Sequence, residues 1–294
     1  MANRKSKVFV TVVTGASLLL ILGSASLHGA TIAYYRFETE NGMAVTNNQP
    51  LFRSDDSSGM GNHLVHAARN TVNSTNRYEA FSGSTPFPSR VPRTGAGNAF
   101  HLGNPPNNIS LVRNGLGLSL TNFTGLSGKE QVTLELFLRR NSGDGGSGRA
   151  LFEVSTWPQT GNGAWYSVST TMSNMYDNTS LNRFNVVVNG YGTISTPYFA
   201  DLKSRSRHFA LTIHKTGYDR ADYAFYLDGA CMYTTNYYFR TASGNVPFSI
   251  AGRINGDSAP FTGIIDEVRV SDVVLPPEKF LGHYVPFGTT VLIR

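Results

Sequence analysis

The run Phe261-Thr262-Gly263-Ile264-Ile265-Asp266-Glu267-Val268-Arg269-Val270 sets two adjacent carboxylates in an otherwise apolar pattern. Cleaving a glycosidic bond asks for two carboxyl groups facing that bond, roughly 5 to 5.5 Å apart in retaining enzymes and roughly 6.5 to 9.5 Å in inverting ones. Neighbours on a strand point to opposite sheet faces, so Asp266 and Glu267 cannot make such a pair. Glu38 and Glu40 do share a face, at a spacing that chance supplies often. No Gly-x-Ser-x-Gly elbow marks a serine nucleophile, Cys231 has no recognisable setting with a histidine, and the glycines form no phosphate-binding loop. The chemistry these residues favour is therefore binding.

Asp266 is the most informative carboxylate. Strict alternation places it with Val268 and Val270, leaving Ile265, Glu267 and Arg269 on the other face. If the Val268 face is the core, an ionised Asp266 needs a cation, an Arg or several N–H donors. The turn Asp56-Ser57-Ser58-Gly59-Met60-Gly61-Asn62-His63 offers a second oxygen-rich group. There Asp56 either caps the turn through its own backbone or contributes, with Asn62, to the oxygen shell of a hard cation. Trp157, Trp165, Tyr191, Tyr237 and Tyr238 are candidates for a sugar platform, in which a pyranose packs on an aromatic ring and polar side chains meet its hydroxyls. Tyrosine is also an ordinary strand residue, so each has a purely structural reading as well.

The elements that must position these side chains are strands. Thirty glycines and abundant Tyr, Phe and Val give β-branched and aromatic runs broken by turn residues. Val132, Leu134, Leu136 and Leu138 alternate with Thr133, Glu135, Phe137 and Arg139, and Phe209, Leu211 and Ile213 repeat the pattern. Asp228-Gly229, between Tyr223–Leu227 and Ala230–Tyr233, is a tight-hairpin signal. Further strands are expected at 31–38, 99–102, 150–154, 166–170, 184–189, 248–250 and 263–270, with a helical turn in 273–281. The segments 70–92 and 104–108 read as long loops. Many strands with short connections predict an all-β chain of two packed antiparallel sheets.

Arg4, Lys5 and Lys7 precede the apolar run Val8–Leu22 and a small-residue stretch, the pattern of a secretory signal peptide over residues 1–30. Removing it takes three of the 25 basic residues and none of the 19 acidic ones, so the formal charge falls from +6 to +3. That charge is scattered and does not form the basic stripe of a nucleic-acid binder. Residues 31–285 read as one large β domain, a size that sandwiches reach as single units, with 286–294 as a tail. A single cysteine forms no intramolecular disulfide, so packing or a bound ion must supply stability.

Ile32-Ala33-Tyr34-Tyr35-Arg36-Phe37-Glu38 followed by the Asp56–His63 turn, then Arg207–Thr212 with Phe225-Tyr226-Leu227-Asp228-Gly229, then Phe261–Val270 with Leu275–Leu281, occur in the order of the laminin-G-like, concanavalin A-like jelly-roll family, which the chain resembles. Met60 stands where that family usually has Asn, and the tryptophan that usually opens the middle pair is absent. The resemblance implies a two-sheet antiparallel jelly-roll sandwich and a structural calcium ion held by Asp56, Asn62 and Asp266. It also implies a secreted, periplasmic or cell-surface location and a polysaccharide or glycoprotein ligand, with other surface proteins as further partners. Glucanases of this type carry Glu-x-Asp-x-x-Glu on one strand, whereas Glu130–Glu135 reads Glu-Gln-Val-Thr-Leu-Glu. The expectation is thus a non-catalytic recognition module. A structural or adhesive envelope or matrix protein is the alternative, and a glycoside hydrolase or lyase the less favoured one.

Overall fold

A computed structural model describes residues 31–37, 39–45, 53–66, 77–80, 98–102, 118–140, 149–154, 166–172, 182–188, 191–199, 202, 207–242, 244, 246–252, 261 and 263–281. The strands of the first half are β1 (Thr31–Tyr35), β2 (Thr39–Glu40), β3 (Met43–Ala44), β4 (Arg53–Ser54), β5 (Leu64–His66), β6 (Arg77–Ala80), β7 (Asn98–Leu102), β8 (Leu118–Phe123) and β9 (Gln131–Arg140). Those of the second half are β10 (Arg149–Val154), β11 (Tyr166–Met172), β12 (Asn182–Val188), β13 (Gly192–Ser195), β14 (Arg207–Lys215), β15 (Arg220–Leu227), β16 (Ala230–Tyr238), β17 (Val246–Ile250) and β18 (Gly263–Ser271). A 3-10 turn, Pro277–Lys279, follows β18.

Two large antiparallel sheets result, as the alternation requires, and β2 and β3 pair separately as a small two-stranded one. The first runs β16-β15-β14-β9-β18-β7-β6, with β1 also on β18, and the second runs β13-β12-β11-β10-β17-β8-β5-β4. Large apolar side chains from the two meet in one core. Val132, Leu134, Leu136, Leu138, Phe209, Leu211, Ile213 and Phe225 come from the first sheet; Phe152, Val154, Phe184, Val186, Phe248 and Ile250 come from the second. Phe184 of β12 packs on Phe209 of β14 with ring centroids 4.0 Å apart, a direct bond between the layers. The expected hairpin forms between β15 and β16, with Asp228 at φ 52° and Gly229 at φ 82°, the positive values a two-residue turn needs.

Both faces of β9 are buried, although its sequence alternates. Thr133, Glu135 and Phe137 point away from the core, yet they are buried because the segment after β18 lies over them. The Thr133 hydroxyl donates to the Val273 carbonyl at 2.6 Å and accepts from the Leu275 amide at 2.9 Å.

Two expectations are corrected. Arg77–Ala80, inside the expected 70–92 loop, forms β6 against β7; the Ser- and Pro-rich surroundings hide four residues whose ladder is supplied by a distant strand. Strict alternation also fails in β18, where the register on β9 shifts between Asp266 and Arg269 and Glu267 takes φ 47°. This bulge adds a residue, so Ile265, Val268 and Val270 all reach the core. Asp266 is paired with Phe137 and Arg269 with Glu135, which puts both on the outer side. The expected loop 104–108, signal segment 1–30 and tail 286–294 lie outside the described residues.

Candidate functional site

Asp56 sits at the closure of a loop that returns to β1. Its Oδ1 accepts from the Tyr34 amide and the Ser58 amide, both at 2.9 Å. Its Oδ2 accepts from the Ser58 hydroxyl at 2.7 Å and the Asn62 amide at 2.9 Å. Four donors therefore fill the lone-pair sites of a carboxylate that is 8 % exposed, and their positive ends point where a cation would have to sit. Asn62 is also tied into the loop, its side-chain NH2 donating to the Ile32 carbonyl at 2.6 Å and its backbone carbonyl accepting from the Tyr35 hydroxyl at 2.6 Å. His63 accepts from the Asp56 amide through Nδ1 at 3.1 Å, a structural role. Asp266 accepts from the Glu267 amide at 2.9 Å inside the bulge. Among the described residues no three His, Cys, Asp or Glu side chains are grouped as metal ligands. A calcium shell draws six to eight oxygens, and at Asp56 the four internal donors take the places that an ion would use.

Charge around the turn supports the same structural role. Burial works to raise the Asp55 carboxyl, but the Gly42 amide, Arg53 and Thr39 together hold it below its usual range. Burial, with the Asp56 charge behind it, pushes the Tyr35 phenol well up.

Glu135 anchors the outer face of the first sheet. It is fully buried and meets the Arg269 guanidinium, with Nε at 2.5 Å, His208 Nε2 at 3.1 Å and the Leu281 amide at 2.7 Å. Arg269 also donates to the Lys279 carbonyl, and Phe280 packs edge-on against Tyr226 at 4.9 Å. The carboxylate thus clamps the closing turn onto β9 and β14.

Three of the five aromatic candidates come together where the sheets end side by side. Tyr237 and Tyr238 close β16, the edge strand of the first sheet, and Tyr191 stands immediately before β13, the edge strand of the second. Tyr191 and Tyr238 stack at 4.3 Å and 18°. The Tyr237 hydroxyl donates to the Tyr191 carbonyl at 2.7 Å, and the Tyr223 hydroxyl donates to the Tyr238 carbonyl at 2.7 Å. Arg220, the cross-strand partner of Tyr238, places its guanidinium 4.0 Å from that ring. The Arg240 guanidinium lies 5.2 Å from the ring of Tyr191. The ring of Tyr238 is therefore held between Tyr191 and Arg220, and its faces are taken. What remains open to solvent is the rim of the stack and two cations. Trp157 and Trp165 lie outside the described residues.

Arg220 and Arg240 carry the character of this site and do not stand out in the sequence. A tight turn at Asp228-Gly229 alone would set Arg220 opposite Tyr237. The irregularity between Phe225 and Tyr226 shifts the register by one and sets it opposite Tyr238. Only the alternation in 220–238 offered a signal, and it leaves that choice open.

No curated protein matches the chain. Among solved structures, domain 4 of AbnA, a GH43 extracellular arabinanase from Geobacillus stearothermophilus, is similar at 17 % identity and TM-score 0.52, over 85 % of this chain and 96 % of that one. The CBM40 of Ruminococcus gnavus IT-sialidase is similar at 18 % identity and TM-score 0.43, over 57 % of this chain and 91 % of that one. Trypanosoma rangeli sialidase is similar at 14 % identity and TM-score 0.49, over 84 % of this chain but only 31 % of its own length. The likeness to the arabinanase domain is one of fold. The family model described as the concanavalin A-like lectin/glucanases superfamily matches residues 114–279, more than half of the chain, and the protein belongs to that superfamily.

Proposed function

We propose that the protein is exported and recognises a polysaccharide or the glycan of a glycoprotein without cleaving it. The observation that carries this reading is the half-open cluster of Tyr191, Tyr237, Tyr238, Arg220 and Arg240 at the shared edge of the sheets. It sets the rim of a rigid aromatic stack beside two guanidinium donors, a few convergent polar groups of the kind binding sites use to fix a ligand. Two buried carboxylates support it, because Asp56 and Glu135 are spent on internal donors. The superfamily contains lectins as well as glucanases by its own description, and the arabinanase domain that shares the fold is in complex with arabinotriose. Fold alone does not decide between these activities; the arrangement of side chains favours binding.

The test is retention of the purified protein on a panel of insoluble and soluble polysaccharides, with and without a calcium chelator, with the supernatant assayed for released sugar. Retention without product supports the reading. Product release would move the protein to the glucanase side of the superfamily, and chelator-sensitive retention would restore a calcium ion to the account.

A structural or adhesive role is the second reading. It is favoured by β16, an edge strand whose Ala230, Cys231, Thr234 and Asn236 are exposed, a geometry open to pairing with another chain. Concentration-dependent self-association with no retention on any polymer would put it first.

A further inference from the structure

Resting on the reading above, we propose that the edge cluster takes an acidic polysaccharide, with Arg220 and Arg240 binding its anionic groups. Neutral sugars are held chiefly by packing a pyranose on a free aromatic face, and the faces of Tyr238 are already covered by Tyr191 and Arg220. The groups left facing solvent are cationic. Neither guanidinium forms an ion pair with a carboxylate among the described residues. The nearest acids in the chain are Asp219 and Asp222. The Asp222 carboxylate accepts instead from the Asn236 side-chain amide at 2.7 Å.

Two unpaired guanidiniums held over rings are oriented before a ligand arrives. Stacking fixes the plane of the fork while leaving its N–H edges free. A carboxylate or sulfate then gains charge-assisted, two-point hydrogen bonds at small ordering cost. The stack itself is braced twice from the first sheet, by the Tyr237 hydroxyl reaching across to the Tyr191 carbonyl and by the Tyr223 hydroxyl on the Tyr238 carbonyl within that sheet. Arg220 and Arg240 thus lie on a rigid support, the condition for selective rather than diffuse electrostatic attraction.

The experiment compares polymers that share a backbone and differ in charge. Purified protein is passed over polygalacturonate and its fully methyl-esterified form, and over dextran sulfate and dextran. Retention on the acidic member of either pair and loss on its neutral counterpart is expected, and the pair that responds identifies carboxylate or sulfate as the anion. Arg220→Gln and Arg240→Gln should each weaken binding roughly tenfold, the scale of one charged hydrogen bond, with circular dichroism checking that each variant is folded. Lys279→Gln, which removes the same charge from the distant closing turn, should bind as wild type. Arg220→Lys should fall between, because it keeps the charge and loses the fork. Equal retention on charged and neutral members, or equal weakening by Lys279→Gln, would overturn the acidic-ligand proposal while leaving glycan recognition standing. No retention on any polymer, here or on the wider panel, would overturn both.

Discussion

The ring of Tyr191 lies 4.3 Å from the ring of Tyr238 at 18°, so the turn entering the last strand of one sheet is stacked on the end of the outermost strand of the other. A sandwich held only by its core leaves its edges independent. Here one edge is joined by a ring stack and a hydrogen bond, and that join carries the charged groups we assign to ligand binding.

Gly192 tests the rigidity of this join. It has φ +114°, and a Cβ there would stand 2.9 Å from the Tyr237 hydroxyl. Gly192→Ala should displace that hydroxyl from the Tyr191 carbonyl and lower stability by about 1–3 kcal/mol, the usual scale for a residue forced into such a backbone conformation. Urea denaturation followed by circular dichroism measures the loss. Ligand affinity should fall with it, because the stack loses one of its two braces.

Glu135 tests the assignment of its carboxylate to structure. Glu135→Ala leaves Arg269, His208 and the Leu281 amide without their acceptor, and removing one partner of a buried pair costs about 3–5 kcal/mol. Because the closing turn is what that carboxylate holds, limited proteolysis should cut the variant first around 273–281. Retention on polysaccharide, scaled to the folded fraction, should be unchanged.

The fold was legible in the sequence because its signals are local. Alternation in 132–138 and 209–213 and the Asp228-Gly229 turn each follow from one stretch of chain, and the strands they announce form at Gln131–Arg140, Arg207–Lys215, Arg220–Leu227 and Ala230–Tyr238. What was not legible depends on partners distant in sequence. The bulge at Glu267 moves Asp266 away from the face of Val268, and the register shift beside Tyr226 sets Arg220 against Tyr238. A single added residue exchanges faces, and no pattern of period two announces it. The strands β2–β6, β8 and β13 were not marked by the sequence either, and β6 shows why, since its ladder is supplied by β7.

Asp56 separates the turn-capping account from calcium binding. Asp56→Asn turns one acceptor oxygen into a donor beside the Asn62 amide, and should cost about 1–3 kcal/mol. Differential scanning calorimetry of the wild type should give the same midpoint in chelator as in calcium. A clear drop in chelator would mean that the four internal donors of Asp56 give way to an ion.

High pH should unfold the protein. Burial pushes the phenols of Tyr34, Tyr35 and Tyr223 up, so above pH 10 the unfolded chain releases these protons while the folded one keeps them. The unfolded state then binds fewer protons, and stability falls by roughly 1.4 kcal/mol per tyrosine for each further pH unit. The contribution is fully present below pH 10 and is lost as pH rises through the raised folded values. Spectrophotometric titration at 295 nm should show part of the tyrosine absorbance appearing late and together with loss of the circular dichroism signal. A smooth titration of all tyrosines near pH 10 in a folded protein would contradict the burial of these three.

The most direct measurement of recognition at the sheet edge is the dissociation constant for a soluble fragment of the best-retained polymer, determined by titration calorimetry for wild type, Tyr191→Ala and Arg240→Gln. Arg240 is exposed, so its variant should fold as the parent, and near-ultraviolet circular dichroism checks Tyr191→Ala. The account predicts that both variants bind roughly tenfold more weakly or worse, with no sugar released during the titration. Wild-type affinity in both folded variants would contradict it and place the binding surface elsewhere on the molecule.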